Sequence, residues 1–187
     1  MKILGTFVLL LTCSLSCAGD YYVPSPIDTY DADSGLYFKA VEKVQDGRGF
    51  MGSLSSEVEV LNINVFDPAS GKSRLLFKGS PGGRVMSVLF ESAYEDGSIR
   101  FTNEEYSSFV ENNKGVPKRA LKDKVLVSVE SPDKKETYLF VSGKRTGQLA
   151  RIAVIPNGTR WHIDVKNSKI RVVHQTGNGL RMESYEW

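Results

Sequence analysis

From Leu36 onward the chain alternates apolar and polar positions in short runs, and a period of two predicts β-strands. The runs are LYFKAVEKV, EVEVLNINVF, SRLLFKG, RVMSVLFESAY, SIRFT, KVLVSVES, TYLFVSG, QLARIAVIP, TRWHIDVK, KIRVVHQ and LRMESYEW. They are rich in β-branched and aromatic residues, which suit a pleated, half-buried surface. Between them stand PASGK, EDG, PDKKE, KRTG, PNG, KNS and TGNG, short segments with the residues that tight turns need. One stretch departs from the pattern. NEEYSSFVENN, residues 103–113, predicts a short helix with Asn103 as its cap and Phe109 and Val110 turned inward.

About eleven strands joined mostly by hairpins imply an all-β, antiparallel fold rather than alternating strand–helix units. VLNINVFDPASGKSRLLF, KVLVSVESPDKKETYLFV and RWHIDVKNSKIRVVHQ share one strand–polar turn–strand form. Such repeated hairpins predict a blade-like meander, an incomplete β-propeller-like arrangement, with a β-sandwich or barrel as the alternative closure. The expected organisation is a signal segment at 1–18, an extended lead-in at 19–35 and a single β-rich domain at 36–187.

The N-terminus changes the picture from fold to address. MKILGTFVLLLTCSLSCAGD has one lysine, an apolar run over residues 3–11 and then small residues, the layout of a secretory signal that is too short to span a bilayer. Cleavage after Ala18 would release a soluble protein. Acylation of Cys17, in a sequence resembling a bacterial lipobox, would anchor one. Leu15 and Ser16 precede Cys17, but Ser14 stands where such boxes prefer leucine. Cys13 and Cys17 are the two cysteines of the chain, so a domain beginning after them has no disulfide, thiol nucleophile or Cys-ligated metal. The formal net charge of +2 gives no general attraction to nucleic acid.

Candidate chemistry is sparse. In NINVFDPASGKSRLLF the GKS triplet lacks the glycine five places earlier that a phosphate loop needs, so Pro68 and Gly71 read as hairpin residues. In TRWHIDVK, alternation puts His162 and Asp164 on one face, opposite Trp161, Ile163 and Val165. That pair suits either general-base work or, more simply, a solvent-facing polar stripe. His174 stands in RVVHQT without ligand spacing for a metal. Ser131 and Lys134 in SPDK match a serine-enzyme pattern, but Pro132 places them in a turn. Asp28, Asp31, Asp33 and Glu42 loosely follow a calcium loop, with Leu36 where its glycine belongs. No cofactor or metal site is expected. PKRALKDK, residues 117–124, carries Lys118, Arg119, Lys122 and Lys124, a candidate docking strip for an acidic partner or anionic headgroups. Tyr30 and Tyr37, with Tyr21, Tyr22 and Phe38, form an early aromatic cluster whose exposed members would make a protein-binding patch.

Together these features point to an extracytoplasmic, non-enzymatic binding protein of a Gram-negative-type bacterium, periplasmic or anchored in the outer membrane. Its expected partner is another protein or an envelope component. The candidate interaction residues are Lys118, Arg119, Lys122, Lys124, His162 and Asp164, with Cys17 as the lipid attachment point. An inhibitor or immunity-type protein fits this size and address. The alternatives are an envelope-polymer hydrolase that uses two carboxylates from distant strands and a structural envelope lipoprotein.

Overall fold

The computed structural model describes residues 27–45, 57–102 and 108–187. In chain order the strands are β1 (Asp28–Asp31), β2 (Leu36–Gln45), β3 (Glu57–Asp67), β4 (Lys72–Leu75), β5 (Arg84–Leu89), β6 (Glu91–Glu95) and β7 (Ser98–Phe101). There follow β8 (Val110–Glu111), β9 (Val125–Glu130), β10 (Glu136–Ser142), β11 (Leu149–Pro156), β12 (Arg160–Asp164), β13 (Lys169–Thr176) and β14 (Gly179–Glu186). Sheet I has the order β1-β2-β3-β4, sheet II β11-β10-β9-β5 and sheet III β14-β13-β12-β8, while β6 and β7 form a ribbon. Pairing is antiparallel throughout except for β8, which lies parallel to β12.

The three repeated hairpins of the sequence are β3–β4, β9–β10 and β12–β13, one in each sheet. The sheets stack in a sandwich-like way, the alternative closure, with sheet II in the middle. On one side Val125, Val127 and Val129 of β9 pack with Phe38, Ile63 and Val65 of sheet I. On the other, Leu126, Leu139 and Ile155 pack with Trp161, Ile163, Ile170 and Val172 of sheet III. Burial on both faces explains why VLVSVE is apolar almost without interruption, whereas β2 and β14 alternate. Each such side chain contributes about 2 kcal/mol. Among the described residues the sheets stay open and no barrel closes.

Two local expectations are corrected. Residues 103–107 lie outside the described residues; beyond them Ser108 and Phe109 are in a 3-10 turn and Val110–Glu111 are β8, so the expected helix does not run to residue 113. The ring of Phe109 stacks on Trp161 at 4.3 Å, and the backbone beyond it pairs with β12, so tertiary contacts override local helix preference. RVMSVLFESAY divides at Phe90, whose amide donates to Thr102 Oγ1 at 3.0 Å and whose carbonyl accepts from the same hydroxyl at 3.1 Å. That corner sends β5 into sheet II and β6 into the ribbon. Asp28–Asp31, within the sequence-assigned lead-in, add β1 to the edge of sheet I.

A buried polar chain ties the layers together. Lys144 arises in the turn after β10, yet it is fully buried, with Nζ 2.9 Å from Asp31 of β1 and 2.8 Å from the Glu91 carbonyl. Phe90 lies beneath it, 4.8 Å from Nζ to the ring centroid. The Glu91 carboxylate, also buried, accepts from both terminal nitrogens of Arg119, from the Lys122 amide and from the Trp187 indole.

Candidate functional site

His162 and Asp164 do share a face of β12, as alternation requires, but that face is not a solvent stripe. Both residues are buried, at 7% and 5% exposure. His162 turns to Glu111 of β8 (Nε2 to Oε2, 3.3 Å) and not to Asp164, and its Nδ1 has no hydrogen-bond partner. Asp164 accepts from Asn112 at 3.0 Å, from the Asn167 side chain at 2.8 Å and from Arg171 at 3.3 Å. Burial alone would raise its carboxyl pKa. The Asn112, Asn167 and Arg171 donors outweigh burial and hold the pKa below the ordinary aspartate value. Asp164 thus fastens the turn after β12, and the carboxylate beside His162 is Glu111 and not Asp164.

The basic strip divides in the same way. Arg119 is committed to Glu91, with nitrogen–oxygen distances of 2.6 and 2.7 Å. Burial would raise the Glu91 pKa, but Arg119, the Lys122 amide and Trp187 together keep it below the ordinary glutamate value. The Lys122 ammonium donates to the Trp187 main-chain oxygen, and Lys124 donates to the Glu186 carbonyl at 3.4 Å. Lys118 is exposed. So 117–124 is a strap that clasps the end of β14, and Lys118 is its outward cation. Cys17 lies outside the described residues.

The other motifs resolve into structure. Pro68, Ala69, Ser70 and Gly71 form the β3–β4 turn, where Asp67 accepts from the Ala69 amide and the Ser70 hydroxyl and Gly71 takes a φ of 66°. The Ser131 hydroxyl donates to Asp133 at 2.6 Å and accepts the Glu136 amide, which closes a turn. Asp28 pairs with Lys39 and Asp31 with Lys144, so the calcium-like carboxylates diverge. Among the described residues no group of three His, Cys, Asp or Glu side chains could hold a metal ion.

Two clefts are large enough for a small ligand. One, about 560 Å³, opens between sheets II and III and is lined by Met86, Glu130, Thr137, Asn157, Arg160 and Trp161. Its polar groups serve one another. Glu130 takes Arg84 at 3.2 Å and Asn157 at 3.3 Å, and Arg160 pairs with Glu111. The other, about 580 Å³, lies beside the β3–β4 hairpin, where Arg74 donates to the Lys144 carbonyl at 2.6 Å and Arg145 to the Asp33 carbonyl at 3.0 Å. A smaller recess of about 180 Å³ brings Glu59 and Glu130 onto one wall system with Arg84.

The feature with unspent capacity is the outer face of sheet I. Cross-strand register places Tyr30 opposite Tyr37 and Tyr37 opposite Phe66, an aromatic row across β1, β2 and β3. These side chains are 48%, 43% and 37% exposed, and the two tyrosine rings lean together at 4.7 Å. Leu75, Val41 and Leu61 extend the apolar surface, while Phe38 of the early aromatic cluster goes into the core. Tyr21 and Tyr22 lie outside the described residues. The signal legible in sequence was the Tyr30–Tyr37 pair. Phe66 and Leu75 were missed because nothing local says which face of β3 and β4 turns away from sheet II. Comparison with protein families, with characterised proteins and with solved structures finds no match.

Proposed function

We propose that this chain is an extracytoplasmic, non-enzymatic binding protein that docks another protein or an envelope component on the outer face of sheet I. The observation that carries the reading is the exposed Tyr30–Tyr37–Phe66 row, continued by Leu75, Val41 and Leu61. Aromatic rings held on a rigid sheet provide contact area at little cost in side-chain entropy, and exposed apolar patches of this kind mark interaction sites. Of the residues first suspected of chemistry, Asp164 and Ser131 are engaged in local turns, and His162 faces Glu111 through one ring nitrogen. The sequence of residues 1–18, expected to act as an export signal, agrees with export in a Gram-negative-type bacterium, and an inhibitor or immunity-type role suits such a docking face.

The experiment is a capture from envelope extract with three baits: the native chain, a Tyr37→Ser/Phe66→Ser variant and an Arg160→Ser control on sheet III. Loss of the captured species with the first variant alone supports the reading. Equal capture by all three contradicts it. A Cys17→Ser variant separates a diffusing binder, which keeps its activity, from a structural lipoprotein, which loses it. The hydrolase reading draws on one feature, the recess shared by Glu59 and Glu130. It is weaker because Arg84 pairs with Glu130, and turnover of an envelope polymer that stops in Glu130→Gln would revive it.

A further inference from the structure

A sheet edge is a row of unpaired backbone groups, and proteins guard such edges with bulges, prolines, lysines or short strands. Most edges here are guarded. β1 and β4 have four residues each and β8 has two. β5 pairs through a bulge between Val85 and Ser87, and β11 ends in Pro156 with an irregular register against β10. β14 lacks the bulge, the proline and the short length, and its charges are Arg181, Glu183 and Glu186. It runs eight residues, GLRMESYE, in unbroken register with β13, and it contains neither proline nor lysine. Among the described residues no strand lies on its other side. Leu180 and Met182 on it are 76% and 56% exposed.

The phase of its free hydrogen bonds follows from two facts. The Trp187 amide donates to the Ser168 carbonyl at 3.0 Å, and the register from there to Thr176↔Gly179 has no shift. Antiparallel pairs alternate between bonded and non-bonded. The odd-numbered residues of β14 therefore bond to β13, and Leu180, Met182, Ser184 and Glu186 aim their amides and carbonyls outward. Lys124 reaches the Glu186 carbonyl, which leaves the edge open over residues 180–184.

We propose that this edge pairs antiparallel with β14 of a second copy of the chain, about a two-fold axis at Met182. Charge selects the register. Centring on Glu183 sets Glu183 against its own copy, and centring on Arg181 does the same for that arginine; like charges directly opposite are unfavourable. Within one chain Arg181 bonds Glu183 at 2.8 Å; centring on Met182 sets that pair against the other copy's in alternating sign, Arg181 opposite Glu183 twice over, at the non-bonded positions where side chains approach most closely. It also brings even-numbered residues face to face, so the outward amides and carbonyls meet. Leu180 then lies beside Ser184 of the second copy and Met182 beside Met182, covering the two most exposed apolar side chains of sheet III. The result is one continuous sheet across two molecules.

Sedimentation equilibrium of the full chain over a wide concentration range tests this. The native chain dimerises. Met182→Pro removes an outward amide that β13 does not use, a substitution edge strands tolerate, and yields a monomer with unchanged circular dichroism. Arg181→Glu and Glu183→Arg each weaken the dimer by at least about tenfold, and the double swap restores it. A native chain that stays monomeric at all concentrations, a dimer that survives Met182→Pro, or a double swap that fails to restore association would each overturn the proposal.

Discussion

The outward faces of sheets I and III are made from the same kind of hairpin and differ in what they do with their polar groups. Sheet III carries paired charges over most of its outer face, Arg160 and His162 on Glu111, Arg171 on Asp164 and Lys169 on Glu186, and leaves Leu180 and Met182 exposed on its edge strand. Sheet I has the Asp28–Lys39 pair at one edge and otherwise offers rings and aliphatic side chains to solvent. Charges paired within their own sheet have less left to offer a partner. A face of exposed apolar surface on a rigid sheet has binding capacity left over. The sheets are also held to the centre differently. Sheet III is packed by Trp161 and Ile163, whereas sheet I adds the buried Asp31–Lys144 ion pair to its apolar contacts.

The largest expected effect comes from that ion pair. Lys144→Ala leaves Asp31 buried without its counter-charge and lowers stability by about 4 kcal/mol, measured by urea unfolding. Hydrogen exchange should show protection lost first in β1 to β4 while β12 to β14 keep theirs. Uniform loss across all three sheets would mean the layers do not open separately. Next in size, Asp164→Ala removes the acceptor that Asn112, Asn167 and Arg171 share, at a cost of about 2 kcal/mol, without affecting capture by sheet I. The converse substitution, Tyr37→Ser with Phe66→Ser, changes stability by no more than about 1 kcal/mol and abolishes capture.

The smallest effect is one of pH. Glu91 and Asp164 have lowered pKa values in the folded protein. Their stabilising contribution is therefore complete above the ordinary carboxylate range and is lost as pH falls through the lowered values, below about pH 4. Asp164→Asn should flatten this acid limb, whereas the sheet I double variant should leave its shape alone. A curve that Asp164→Asn leaves as steep would show that Asp164 does not carry the difference.

The strands were legible because alternation is a local property, and each of the eleven predicted runs contains strand. Which sheet each strand joins was not, since that depends on contacts far apart in sequence. Alternation placed His162 and Asp164 correctly on one face, but the groups that cover them, Glu111 and Arg171, come from β8 and β13. Lys144 sits in KRTG, a segment with every mark of an exposed turn, and only the fold shows it entering the core. NEEYSSFVENN carried a cap and an inward pair of apolar residues, yet the flat surface of Trp161 captured Phe109 and drew Val110–Glu111 into a strand. The exposed face proposed for docking was half legible: its tyrosines stood out, and its depth across β3 and β4 did not.

The central claim is that the outer face of sheet I is where this protein meets its partner. Oxidative side-chain footprinting of the native chain, alone and in envelope extract, tests it most directly. Tyr30, Tyr37 and Phe66 should be labelled in the free protein and shielded in the extract, while Leu75 at the patch margin is shielded less. Rings that label equally in both conditions, with shielding confined to sheet III instead, would contradict the account.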